Sequence, residues 1–227
     1  MINSSNELRG PDSGPIVLFD MDGTLTDARS SLDEPVLQAL RKLSSHAEIG
    51  IVTGSGFEYV KQQAGNLLQD ELRFRLHLLP CNGTIYYAPR SVSVGHSFDL
   101  VHERNMQKEM GKEKFNFLMA ELIQRQASIL KYIDLPLTGH FIDYRGSMVN
   151  WCPIGRNANS LERQIFKDFL KKNDKFRQWQ IGILKERLSF KGTSNDLMLK
   201  LGGDTSIDIY PKGWDKTYCL RHFENYK

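Results

Sequence analysis

Ile16-Val17-Leu18-Phe19 is apolar without alternation and runs straight into Asp20. A strand covered on both faces in a parallel sheet has this pattern, whereas a half-exposed strand alternates. After a short loop, Asp33 is placed to cap a helix with Pro35 in its first turn and Val36, Leu37, Leu40 and Leu43 on one face. A second buried strand, Ile49-Gly50-Ile51-Val52, ends in Thr53-Gly54-Ser55-Gly56. Phe57 to Leu68 reads as the next helix and Leu76 to Leu79 as a third strand. Strands alternating with helices predict a Rossmann-like, doubly wound parallel sheet with right-handed crossovers, an α/β fold.

From about Val92 the rhythm changes. A long helical stretch from Asn105 to Tyr132 stops before Pro136, and His140 to Tyr144 and Met148 to Trp151 flank the turn Arg145-Gly146-Ser147. Helices are expected at Ser160 to Lys172 and Asp174 to Leu188, then a hairpin of Leu197 to Leu201 and Ser206 to Tyr210 around Gly202-Gly203. A last helix begins at Gly213-Trp214-Asp215-Lys216. The expected organisation is a core in two pieces, residues 1–92 and 212–227, with an α+β cap inserted at 93–211.

Composition narrows the class without naming it. The net charge of +3 over 227 residues is too even for a protein that coats a polyanion, so no nucleic-acid partner is expected. With 40% hydrophobic and 25% charged residues the chain is of average globular make-up, and the length suffices for a substantial core. No run of about 18 apolar residues is present, so no membrane span is expected. The first fifteen residues are polar and hold no signal-peptide core. Cys81, Cys152 and Cys219 lack the paired spacing of a zinc or redox site, which suits reduced thiols in a cytoplasmic protein.

Chemistry concentrates in Phe19-Asp20-Met21-Asp22-Gly23-Thr24-Leu25-Thr26, two carboxylates two residues apart at the end of a buried strand. Ligands of open α/β sheets bind at the carboxyl ends of strands. A carboxylate there can attack phosphorus and form an aspartyl phosphate. Two acids so close repel, so a cation or a shared proton is needed, and Mg²⁺, which takes one or two carboxylates plus phosphate oxygens and water, is the natural partner of Asp20 and Asp22. Asp22 would serve as general acid and base. The competing reading is an Asp-Gly turn with a capping Asp.

The string from Phe19 to Thr26 resembles the signature of the haloacid-dehalogenase-like phosphotransferases. Thr53 and Ser55 resemble that superfamily's second motif, which holds the transferred phosphoryl group, and Lys216 its third, a neutralising cation. Within the superfamily, the chain resembles the eukaryotic-type phosphomannomutases from Ile16 to Lys227. The stretches that carry this are Phe141-Ile142-Asp143-Tyr144-Arg145-Gly146-Ser147-Met148-Val149-Asn150, Pro153-Ile154-Gly155-Arg156, Glu162-Arg163, Gly202 to Pro211 and Gly213 to His222.

The resemblance implies interconversion of mannose 6-phosphate and mannose 1-phosphate, feeding GDP-mannose synthesis, with Mg²⁺ and a glucose or mannose 1,6-bisphosphate as activator. It implies Asp20 as nucleophile and Arg29 as a substrate contact in the core. In the cap it implies Arg145, Arg156 and Arg163 as a clamp for the distal phosphate, with Ser206 and Asp208 as further ligands of phosphate and sugar hydroxyls. Guanidinium forks suit phosphate because they bind it bidentately, and Ser206 and Asp208, two apart on a strand, share one face. Cap closure would then exclude water. A homodimer through the cap, with Phe141 near its interface, is also implied.

Family members continue past the last helix into a further strand and an acidic loop that supplies more Mg²⁺ ligands. This chain ends before that strand. A truncated form is therefore expected, with Ile16 to Phe19 on an open edge, weak Mg²⁺ binding and slow or absent turnover. Two rivals stand beside the mutase: a sugar phosphatase of the same superfamily, and a non-catalytic, dimeric sugar phosphate-binding protein. His46, His77, His96, His102, His140 and His222 lack metal-ligand spacing, Lys108 to Lys114 reads as a solvated helix face, and Cys81 is not expected to act as a nucleophile.

Overall fold

The computed structural model describes residues 14–27, 30–90, 98–131, 134–190, 192–224 and 226. The chain divides into two compact units, Met1–Glu103 with Trp214–Lys227, and Arg104–Gly213.

The first unit is built on a five-stranded sheet whose spatial order follows the chain: β1 (Ile16–Asp20), β2 (Glu48–Val52), β3 (Leu76–Leu79), β4 (Ile85–Pro89) and β5 (Phe98–Glu103). β1, β2 and β3 pair in parallel, and Asp20 lies beside Val52, so both strands end at the same rim. β4 and β5 are antiparallel, which makes the sheet mixed. β2 is buried along its whole length, as its unbroken apolar run predicts, while β1 is half-buried at the sheet edge. One face packs Ile49, Ile51, Leu76 and Leu78 against Leu37 and Leu40 of α1 (Glu34–Ser44) and Val60 of α2 (Phe57–Gln63). The other face packs Val52, Leu79 and Tyr86 against Cys219 and Phe223 of a 3₁₀ segment, Lys216–Phe223.

That second face also buries a polar chain. Nε2 of His77 lies 2.9 Å from Glu48 Oε2, and its Nδ1 lies 2.8 Å from the Tyr86 hydroxyl. Each group satisfies the next, as burial away from water demands.

Several expectations change in detail. The helix expected from Phe57 to Leu68 is two helices, α2 and α3 (Gly65–Gln69), because Ala64 leaves helical geometry at φ −115°, ψ 27°. Asp33 sits at the N-cap of α1, but its side chain makes no capping bond. The final helix is 3₁₀ rather than α. The core sheet reaches Glu103, so the first unit extends past the expected boundary at 92. Val92 itself and Tyr132 lie outside the described residues.

The second unit holds a four-stranded antiparallel sheet in the order β6 (Ile142–Tyr144), β7 (Val149–Trp151), β9 (Ser206–Pro211), β8 (Leu197–Gly202). The long expected helix is broken at Gly111, whose φ of 81° no helix accommodates, into α4 (Met106–Met110) and α5 (Lys112–Leu130). α6 (Ser160–Lys172) begins with a capping box between Asn159 and Glu162, and α7 (Phe176–Ser189) follows. Leu118 and Leu122 of α5, Phe166 of α6 and Leu184 and Leu188 of α7 are fully buried, as are Trp151, Ile207 and Ile209 of the sheet. Among the described residues no helix is long and apolar enough to cross a membrane.

Register decides what the remaining sheet positions carry. Asp143 lies beside Asn150, Asn150 beside Asp208, and Asp208 beside Lys200, a polar row across all four strands. Apolar rows flank it on both sides: Ile142, Trp151, Ile207, Leu201 and Tyr144, Val149, Ile209, Leu199. Because strand side chains alternate, the polar row faces away from the rows beside it.

Candidate active site

Asp20 is the last residue of β1, delivered to the rim by the strand itself. Its Oδ1 accepts from the Met21 N–H at 2.9 Å, and Lys216 Nζ donates to its Oδ2. Lys216 opens the 3₁₀ segment, whose N-cap Asp215 accepts from the Thr217 N–H at 3.1 Å. The cation and the carboxylate are both partly exposed, so an entering anion can reach them.

The loop after β1 turns tightly. Met21 O accepts from the N–H groups of Leu25 and Thr26 at 3.0 and 3.1 Å, and Gly23 takes φ 76°, a left-handed conformation that favours glycine. Asp22 is thereby turned toward α2, where Tyr59 OH and Gln63 Nε2 each donate to its Oδ1 at 3.3 Å. Gln63 is 3% exposed and also bonds Tyr59 OH at 2.8 Å, while its Oε1 accepts from Thr26 Oγ1 at 3.1 Å. Sequence reasoning misses both partners. Tyr59 and Gln63 stand four apart on one helix face directly after the second motif, which is the one signal that could have found them.

Thr53 and Ser55 follow β2 at the same rim. Thr53 is 1% exposed and its Oγ1 accepts from the Ser55 N–H at 3.1 Å, so the turn is folded onto itself. Asp20, Asp22, Thr53, Ser55 and Lys216 all belong to the first unit. Arg29 lies outside the described residues.

The second unit gathers the other candidates on its polar row. Asp143 accepts from Arg145 Nε at 2.9 Å through Oδ2, which also lies 3.3 Å from Arg156 Nε; its Oδ1 lies 3.5 Å from His140 Nε2. Burial alone would raise the Asp143 carboxyl; the charge and hydrogen bond of Arg145, with Arg156 beside it, outweigh that and hold it below its usual range. Asn150 donates from Nδ2 to Asp208 Oδ1 at 2.6 Å and to Ser206 Oγ at 2.8 Å, and its Oδ1 accepts from Arg156 Nη1 at 3.0 Å. Part of Asp208 stays accessible, yet burial pushes its carboxyl above the ordinary value, with Asn150 and the two arginines only partly offsetting this. The strands approach closely there, since a Cβ on Gly202 would fall 2.6 Å from the Asp208 carboxylate.

Arg163 stands apart from this group. Its guanidinium bonds Ala158 O at 3.0 Å, Thr205 Oγ1 at 3.1 Å and Arg156 O at 3.3 Å, which ties the loop carrying Arg156 to the turn that leads into β9. Asp143 and Asn150, which join the arginines to Asp208 and Ser206, carry no role that the sequence alone reveals. Among the described residues no group of three or more His, Cys, Asp or Glu side chains could hold a metal. The Asp20 and Asp22 carboxylates are the hard oxygen donors at the rim.

A model of the family "Eukaryotic phosphomannomutase" matches residues 36–227, most of the chain. The chain belongs to the eukaryotic phosphomannomutase family. It is similar to a protein named phosphomannomutase from Encephalitozoon cuniculi, 37% identical over 215 residues, covering 94% of this chain and 76% of that protein. One from Saccharomyces cerevisiae is 36% identical over 210 residues, 92% of this chain and 75% of that protein. The chain thus spans about three-quarters of these relatives. Among solved structures, the IMP-nucleotidase of Plasmodium falciparum superposes with TM-score 0.57 at 12% identity, over 92% of this chain and 50% of that one. The C-terminal domain of trehalose-6-phosphate phosphatase from C. albicans gives TM-score 0.54 at 15% identity, over 92% and 61%. At such identities the likeness shows the α/β fold alone.

Proposed function

We propose that the chain is a phosphomannomutase that interconverts mannose 6-phosphate and mannose 1-phosphate through an aspartyl phosphate on Asp20. Membership of the family and the shared name of its relatives support phosphomannomutase function. The observation that carries the chemistry is the pairing of Asp20 with Lys216 at the rim of the sheet.

In the first half-reaction a carboxylate oxygen of Asp20 attacks phosphorus of a hexose 1,6-bisphosphate. The bond from phosphorus to the sugar oxygen breaks, and that oxygen takes a proton from Asp22. In the second half, Asp22 removes a proton from the hydroxyl at the other end of the hexose monophosphate. That oxygen attacks the aspartyl phosphate, which restores Asp20 and yields bisphosphate. The bisphosphate then turns end for end, and transfer of its other phosphoryl group, the one the incoming monophosphate carried, to Asp20 releases the isomer and restores the aspartyl phosphate.

Each residue has a part that follows from its contacts. Lys216 offsets the negative charge that gathers on the phosphoryl oxygens. Thr53 and Ser55 offer their hydroxyl groups to the same oxygens, and Tyr59 and Gln63 fix the Asp22 carboxylate so that it points one way. Arg145 and Arg156, oriented by Asp143 and Asn150, grip the phosphate that is not being transferred. Asp20 and Asp22 would hold Mg²⁺, whose preference for one or two carboxylates plus phosphate oxygens and water suits them, and which would supply further charge neutralisation. Arg29 as a substrate contact, a cytoplasmic location and a homodimer through the second unit belong to the same proposal.

The test is to mix the protein with Mg²⁺ and hexose 1,6-bisphosphate labelled in phosphorus, quench rapidly and map the label. The expected result is an acid-stable, base-labile adduct at Asp20 and mutase turnover that depends on added bisphosphate. Release of inorganic phosphate without interconversion would make the chain a sugar phosphatase. Binding with no adduct at any Mg²⁺ concentration would make it a binding protein.

A further inference from the structure

Three consecutive residues after β3, Cys81, Asn82 and Gly83, take left-handed conformations at φ 51°, 64° and 83°. For residues with a Cβ this conformation is strained and persists where surrounding contacts over-determine it. The contacts here are specific. Cys81 N–H donates to Ser55 O at 2.9 Å and Asn82 N–H to Thr53 O at 2.8 Å, so the loop grips the Thr53–Ser55 turn by its carbonyls. From the same residue, Asn82 Nδ2 donates to Trp214 O at 3.1 Å, two positions before Lys216. Gly83 O accepts from His222 Nε2 at 2.7 Å near the far end of the 3₁₀ segment. Gly83 also lies against Cys219 so tightly that a Cβ on it would come within 2.7 Å of the Cys219 Cα.

We propose that Asn82 is a positioning residue for phosphoryl transfer, its backbone N–H fixing the Thr53 loop and its side-chain amide fixing the approach to Lys216. One residue then sets the spacing between the hydroxyl and cationic sides of the phosphoryl site. The left-handed conformation has a purpose in this: it turns the N–H toward β2 and the side chain toward residue 214, and Asn is among the few residues with a Cβ that tolerate it. Asn82 is 6% exposed, so its amide has little water with which to replace Trp214 O.

The inference rests on the mutase reading for its kinetic consequence, but its structural core is testable without activity. Asn82→Gly keeps the left-handed backbone and deletes the side chain; Asn82→Asp keeps size and shape and removes the donor. In each, Lys216 is labelled with an amine-acylating ester and its rate is read by peptide mass spectrometry against exposed Lys42 and Lys172. We expect Lys216 to react about fivefold faster in both variants, the factor for one lost neutral hydrogen bond, with the reference lysines unchanged. Transfer to Asp20 from the bisphosphate should fall about tenfold or more while KM for mannose 6-phosphate stays put, because misplacement touches only the transfer step.

Unchanged Lys216 labelling in folded Asn82→Asp and Asn82→Gly would overturn the proposal, as would a loss shared equally between kcat and KM. A wild-type chain that forms no adduct at Asp20 would sink the mutase reading instead, and the labelling would still decide the role of Asn82.

Discussion

Lys216 sets its ammonium against Oδ2 of Asp20, a residue 196 positions earlier in the chain. The pair leaves one carboxylate oxygen bonded to a backbone N–H and the other to a cation, an arrangement that an incoming phosphoryl group can enter by taking over the lysine. Asp20→Asn should therefore form no adduct. Lys216→Met should still bind sugar phosphate but transfer about 10²–10³-fold more slowly, the usual loss for one electrostatic group aimed at developing charge. Rapid-quench labelling of both variants checks this, and a near-normal rate in Lys216→Met would remove the lysine from the mechanism.

The arginines of the second unit should separate into two kinds. Arg145 meets an acidic side chain, whereas Arg163 bonds two backbone carbonyls and a threonine hydroxyl. Arg145→Ala should weaken mannose 6-phosphate binding about tenfold or more and also lower the melting temperature, because it strips the half-buried Asp143 carboxylate of its main partner, whereas Arg163→Ala should leave binding intact. Arg163→Ala should lower the melting temperature by roughly 2–8 °C, from about 1–2 kcal/mol of lost hydrogen bonding at ~2–4 °C per kcal/mol. Calorimetry of both variants reads the two effects side by side.

Asp208 gives a pH test with a definite sign. Its folded carboxyl titrates above the ordinary carboxylate value, chiefly through burial. Between those two values the folded chain holds more protons than the unfolded one, so stability falls as pH rises through that window. Asp208→Asn should accordingly melt higher than wild type at pH 7, and the advantage should vanish near pH 4, even as substrate binding is lost. Asp143 acts in the opposite sense: its contribution is present above the usual carboxylate range and disappears as pH falls through its lowered value. Thermal melts from pH 3 to 8 decide both, and a destabilised Asp208→Asn at pH 7 would contradict the burial argument.

Gly83→Ala tests the seat of the 3₁₀ segment. An added Cβ would meet Cys219 Cβ at 2.6 Å, on a residue already at φ 83°. The expected cost is about 2–4 kcal/mol, visible as a drop in melting temperature, with faster hydrogen exchange over residues 214–223. Gly54→Ala is the control, since its Cβ would meet nothing nearer than Asn82 Oδ1 at 3.5 Å.

What can be read from the sequence follows from how local each signal is. β2 announces itself because both faces are covered, and the unbroken apolar run Ile49 to Val52 bounded by polar turns suits a buried strand better than a surface element; β3 shows the same burial with its apolar run interrupted at His77. β4 is harder to see because Ile85–Pro89 mixes one buried and one half-buried tyrosine with a proline, which reads as loop. The single helix expected from Asn105 to Tyr132 passes over the break at Gly111, because a lone glycine is tolerated within a helix and only its φ of 81° shows that the chain turns there. Asp20 and Asp22 are legible because two acids at a strand end are locally unusual. Gln63 is not: a glutamine on a helix looks solvated until packing against Asp22 and Tyr59 buries it. Asp143 suffers the same way, because an acid two residues from an arginine resembles an ordinary surface pair, and only the strand register shows it shared with Arg156.

The separation of Asp20 from its lysine also bears on synthesis. At about 5–20 residues per second, the ribosome needs roughly 10–40 s to make the 196 residues that divide them. Throughout that interval the nascent acid has no ammonium beside it, and the intervening polypeptide can collapse into its own globule first. A translating chain can thus form this ion pair only once residue 216 has emerged, after the whole second unit has been made.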